Sequence, residues 1–216
     1  MAITFPRDFP YDGAFSEECS FTPVYQQSLS ISGGIGPNVA DLGPAMWRGE
    51  FATVALDREK WGQWVAWLHS MRGGLRTFKG RPPLWKWPIA YPRGFGVLTY
   101  LGSPWSGNGN LSVIGSSRDT VTVNQLPNGL VLKPGDFFSI PVGSRQHLHR
   151  IIEGGTSASN AVALTVEPTI RPGVATGIAV KFEAPYCEMV LIGEPKMSRR
   201  GTRGGSISFI GQQVLI

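Results

Sequence analysis

Residues 46–78, MWRGEFATVALDREKWGQWVAWLHSMRGGLRTF, hold the one convincing helical pattern in the chain, and that pattern confines the fold to β-structure built around a single helix. Asp57 stands where a carboxylate can accept the orphan N–H groups two or three residues on, which caps a helix start. Trp61, Trp64, Val65, Leu68 and Met71 then recur at three- and four-residue spacing and share one apolar face. Arg72 suits the carbonyl end of the helix dipole, and Gly73-Gly74 offers the left-handed backbone that stops a helix. The flanking runs, Trp47–Ala55 and Leu75–Lys79, read as strands. The helix is therefore expected to be clamped to a sheet, as scaffold.

Composition supports a mainly β chain of one domain, or one domain with a sizeable insertion. With 28 Gly and 17 Pro among 216 residues, turns are dense, while 42% hydrophobic residues and 7 Trp supply a real core. No apolar run approaches the ~20 residues that span a bilayer, so no membrane insertion is expected. The opening MAITFPRDFPYDG lacks the basic region and apolar core of a secretory signal, which predicts folding in a cytoplasm. Cys19 and Cys187 belong to no CxxC pair and read as free thiols, with a disulfide as the alternative. The net charge of +5 is spread along the chain, apart from Arg199, Arg200 and Arg203 in SRRGTRGG. That basic loop reads as a solvated turn, or as a face toward nucleic acid or an acidic partner.

Along the chain, residues 1–45 are irregular, with a strand around Tyr25–Ile31 followed by a GGIGPN loop. GRPPLWKWPIAYPRGFG places Trp85, Trp87, Tyr91 and Phe95 among four prolines, which cannot donate to a sheet ladder and stiffen a loop. Those aromatics are candidates for subunit, partner or sugar contact, or for covering the sheet. VTVNQLPNGLVL reads as a hairpin turning at Pro127-Asn128-Gly129. LKPGDFFSI turns at Pro134-Gly135-Asp136 and enters a new strand. HLHRII and AVALTVEPTI add two more strands, and GIAVKFEAP, CEMVLIGEP and SISFIGQQVLI follow as strands rejoining the first part.

Catalytic signals are missing. No GxSxG elbow, HExxH, P-loop or supported carboxylate pair occurs. Of the three histidines, His147 and His149 sit two apart on one strand face, as a metal site can use, with Glu153 near but no evident third ligand. His69 belongs to the helix surface or its packing, and Asp136 to a turn. No catalytic residue, metal or cofactor is assigned, and a non-enzymatic protein is expected.

The order of four segments resembles the distal tail protein family of long-tailed bacteriophages and gene transfer agents. They are the WRGEF strand (47–51) with the helix ending LHSMRGG and the LRTF strand (75–78), then LKPGDFFSI (132–140), ALTVEPTIR (163–171) and the closing EMVLI (188–192). The resemblance spans most of residues 45–216. It implies a ring-forming β-sandwich from residues 1–98 and 172–216, carrying the helix, with a small β-barrel or sandwich inserted at 99–171. It further implies a hexameric ring at the tail tip or baseplate of the virion, assembled in the host cytoplasm, between the tail tube protein and the tail hub protein. Side fibres or receptor-binding proteins are further partners in such an assembly. DNA passes through the lumen without specific binding, and Arg199, Arg200 and Arg203 are candidates to face it. The chain shows no long C-terminal extension for a carbohydrate-binding domain, so any sugar contact falls to the Trp85/Trp87/Tyr91 loop or the insert. The alternatives are another tail or head–tail connector ring, or a carbohydrate-binding module using that loop.

Overall fold

The computed structural model describes residues 3–11, 14–16, 18–32, 36–83, 85–199, 201 and 204–215. In chain order the elements are β1 (Ser20–Ser32), β2 (Gly36–Ala52), α1 (Arg58–Ser70), β3 (Phe78–Gly80), β4 (Thr99–Tyr100) and β5 (Ser103–Pro104). Next come β6 (Asn108–Ile114), β7 (Thr120–Asn124), β8 (Val131–Leu132), β9 (Phe137–Val142) and β10 (Arg145–Glu153). The last are β11 (Gly155–Thr156), β12 (Ala161–Glu167), β13 (Ala179–Lys181), β14 (Cys187–Arg199) and β15 (Gly205–Gln213). The fold is mainly β, with a five-stranded sheet in the order β1-β2-β15-β14-β3 and a closed barrel of β10-β12-β7-β6-β13-β9.

The helix forms where its signals lie. Asp57 caps it, accepting the Lys60 N–H at 2.8 Å, and Gly73 beyond its end adopts φ +65°. Trp64, Leu68 and Met71 are buried against the sheet, while Trp61 and Val65 are only partly buried. Trp67, outside the expected stripe, is fully buried too. It packs on Phe78 and Phe209 of the sheet, and the N-terminal segment covers it as well: Trp67 Nε1 donates to Asp8 O at 2.8 Å, and Phe9 packs on both Trp64 and Trp67.

Phe9 and Phe15 meet Phe51, and with α1 they fill the space that the second sheet of a sandwich would occupy. The expected sandwich is thus a single sheet covered by a helix and a chain segment. Glycine makes this close packing possible at one register pair. Gly49 lies opposite Gly211, and a Cβ at either would press within 2.5–2.6 Å of the Phe51 or Phe78 ring.

The barrel has its own core, with Leu111, Val123, Phe138, Ile140, Ile151, Val166 and Val180 pointing inward. Two expectations change here. β13, expected with the flanking sheet, pairs with β6 and β9 and closes the barrel, because Val180 and Phe182 are buried in its core. VTVNQLPNGLVL is not a hairpin: β7 pairs with β6 and β12, whereas β8 pairs with β11. The turn at Pro127–Leu130 is present, with Gly129 at φ +79°, but buried Leu126 and Leu130 hold this stretch against the barrel core instead of returning it beside β7.

Sheet and barrel meet through β9 and β10. Trp47 Nε1 donates to Leu148 O at 2.7 Å. The Arg150 guanidinium lies over Phe137 at 4.7 Å and over Trp47 at 5.4 Å. Arg145 pairs with Glu188 at 3.0 Å, and Phe137 and Leu148 join the core of the sheet. Cys19 and Cys187 are both free thiols.

Candidate interaction surfaces

Three of the titratable residues singled out in the sequence, His147, His149 and Asp136, are buried in the fold. His147 and His149 are 2% exposed, and burial lowers both imidazoles to a pKa of about 4, so both are neutral at pH 7. His149 Nδ1–H donates to Pro168 O at 2.6 Å and its ring stacks on Phe138. Both rings line a hollow of about 310 Å³ under β1 and β2, bordered by Tyr25, Asp41, Glu167 and Arg171. Glu153 turns outward and accepts from Thr165. Among the described residues no three His, Cys, Asp or Glu side chains gather as a metal ion would need. His69 is exposed.

Asp136 does more than form its turn. It is fully buried, and its two carboxylate oxygens accept the amides of Ile89 and Lys133, each at 2.7 Å. Burial nevertheless raises its pKa. The contact with Ile89 pins the proline-rich loop to the barrel, and the Tyr91 hydroxyl adds a second pin by accepting the Val131 N–H at 2.9 Å. That loop is accordingly less available than its sequence suggests. Phe95 is a core residue, 4.5 Å between ring centroids from Trp105, and Trp87 and Tyr91 pack partly buried against the same core. Of the four contact candidates only Trp85 is exposed, at 37%, with its ring edge-on to Phe137.

The most available surfaces lie on the two long hairpins. β1 and β2 pair over their full length, but β15 joins β2 only at Arg48–Ala52. The outer part of this hairpin is therefore a free two-stranded ribbon, exposing Tyr25, Leu29, Val39 and Leu42. The strand expected from Trp47 begins earlier, at Gly36, and takes in the end of the expected GGIGPN loop. In the ribbon Pro37 and Pro44 are tolerated, since β2 has no second strand neighbour there among the described residues and the register slips beside Pro44. β14 and β15 form the second hairpin. β3 covers β14 only at Cys187–Met189, so the rest of its outer edge has no strand partner among the described residues, and Ile192 and Met197 are exposed.

At the end of this second hairpin Arg199 is exposed, its Nε donating to Gly201 O at 3.1 Å and its guanidinium 5.8 Å from the Trp61 ring. Arg200 and Arg203 lie outside the described residues. No protein-family model matches the chain, and no curated protein matches it either.

Proposed function

We propose that the chain is a structural subunit that closes head-to-tail into a ring at the tail tip of a long-tailed phage or gene transfer agent. The observation that carries this reading is the open sheet. It ends in two unlike edges, the long strand β1 on one side and the uncovered outer part of β14 on the other. A long unpaired edge with apolar side chains is a hazard for a free monomer and an asset for an assembly subunit. Unlike edges make heterologous contacts, which generate a ring when the rotation closes.

On this reading the ring joins the tail tube protein to the tail hub protein, and DNA passes through the lumen without being read. The segment order that resembles the distal tail family supports the tail-tip position, and the reading includes no catalysis. A carbohydrate-binding role would rest on Trp85 alone, because Trp87 and Tyr91 are packed against the barrel.

Native mass spectrometry of the purified protein tests the ring. A closed oligomer of one defined copy number is expected, and the double variant Leu29→Lys/Leu42→Lys should release monomers with an unchanged fold. A wild-type protein that stays monomeric at every concentration would overturn the proposal.

A further inference from the structure

Away from the ribbons, four cationic side chains converge on one hollow beside β3. Lys79, Arg81, Lys86 and Lys181 line it together with Asp8, Glu183 and Tyr186, around a volume of about 430 Å³. They come from four separate places: β3, the residue after it, the proline-rich loop and the end of β13. Asp8 pairs with both Lys79 at 2.8 Å and Arg81 at 3.7 Å. Neither Lys86 nor Lys181 has an ion-pair partner among the described residues. Glu183 is the second carboxylate that lines the hollow.

The rim is fixed. Lys79 N–H donates to Arg7 O at 2.8 Å, which ties the strand to the N-terminal segment, and Ala184 N–H donates to Lys86 O at 2.7 Å, which ties the chain after β13 to the loop. The Arg81 side chain is only 13% exposed and that of Lys79 28%, so part of this charge is held out of bulk water. Like charges brought together at reduced solvation repel one another, and a bound anion relieves that repulsion. Burial also raises the pKa of Tyr186, so its phenol stays protonated at neutral pH and remains a hydrogen-bond donor.

We propose that this hollow is a binding site for a doubly charged oxyanion, a phosphate group, either free or carried on a saccharide. Lys86 and Lys181 bring two positive charges without an ion-pair partner among the described residues, which match a dianion, and lysine and arginine are the side chains that recognise phosphate oxygens. The site stands independently of the ring, since it uses neither hairpin ribbon.

Chemical-shift titration of the purified protein, in whatever oligomeric state it adopts, tests the site with inorganic phosphate, glucose 1-phosphate and glucose as the neutral control. Saturable shifts at Lys79, Lys181 and Tyr186 are expected with both phosphates and none with glucose, weakening as ionic strength rises. Tighter binding of glucose 1-phosphate assigns the anion to a saccharide, and equal binding assigns it to the free ion; both support the site. Lys181→Ala should weaken phosphate about tenfold, the scale of one lost charge-assisted hydrogen bond. Lys86→Ala changes an exposed side chain, so it should weaken binding while leaving the melting curve unchanged. The proposal fails if no shift saturates, or if both variants bind phosphate as the wild type does. A response to poly-glutamate without one to phosphate would also overturn it, in favour of a protein contact.

Discussion

Trp64 shows what a single residue does in this chain. It is fully buried beside Phe9, Phe15, Trp67 and Phe209. Truncating it removes both transfer energy and packing, so Trp64→Ala should cost about 3–5 kcal/mol in chemical denaturation. A wild-type unfolding midpoint would contradict the packing. The two buried histidines set a pH dependence. An unfolded histidine titrates near 6.5 and both folded imidazoles near 4, so between those values the unfolded chain binds more protons. The stability from keeping them neutral is fully present above 6.5 and lost as pH falls toward 4, by roughly 3 kcal/mol for each group. Burial raises the Asp136 pKa, so this carboxyl gains stability as pH falls through its folded value and opposes the trend. Thermal melts from pH 7 to pH 4 should show the fall, and His147→Asn/His149→Asn should flatten it. An equally steep fall in that variant would place the proton uptake elsewhere. At this scale the helix cap and Trp64 were legible from spacing. Trp67 was not, because two of the rings that bury it, Phe9 and Phe209, lie far away in sequence.

Among the elements, the turn at Pro134–Asp136 is an anchor for a distant loop. Asp136→Ala would leave the part-buried amides of Ile89 and Lys133 without their acceptor and should cost about 1–3 kcal/mol. Hydrogen exchange should then speed at both amides, and unchanged protection would show that the loop is held by its aromatic contacts alone. This link joins residues far apart in sequence, and local turn chemistry accounts for Asp136 without needing it. The same reason explains the misread hairpin after β7. Pro127-Asn128-Gly129 correctly marks a turn, but whether the next strand returns beside the first depends on where Leu126 and Leu130 find a core. Periodicity reports which residues are apolar, and only the closed barrel decides which neighbour they face. The ribbon formed by β1 and β2 was half legible for a related reason: its prolines look like loop markers until the strand is known to have a free edge.

For the whole molecule, the sequence spoke clearly on class, with one helix among many short strands. It did not show that the helix and two N-terminal phenylalanines stand in for a second sheet, since that depends on aromatic rings meeting across distant segments. Nor did it mark the hollow beside β3, whose four cations lie apart in the chain and meet only in space. The aromatic loop is the converse case. Its composition suggested a contact surface, and the fold uses most of it as lining for the barrel. What remains open to neighbours is the pair of unlike sheet edges, and the account of function rests on them. Immunogold labelling of intact phage or gene transfer agent particles with an antibody against this chain tests that account most directly. Label confined to the far end of the tail is the predicted result. Label at the head–tail junction, along the tube, or on no particle at all would contradict it.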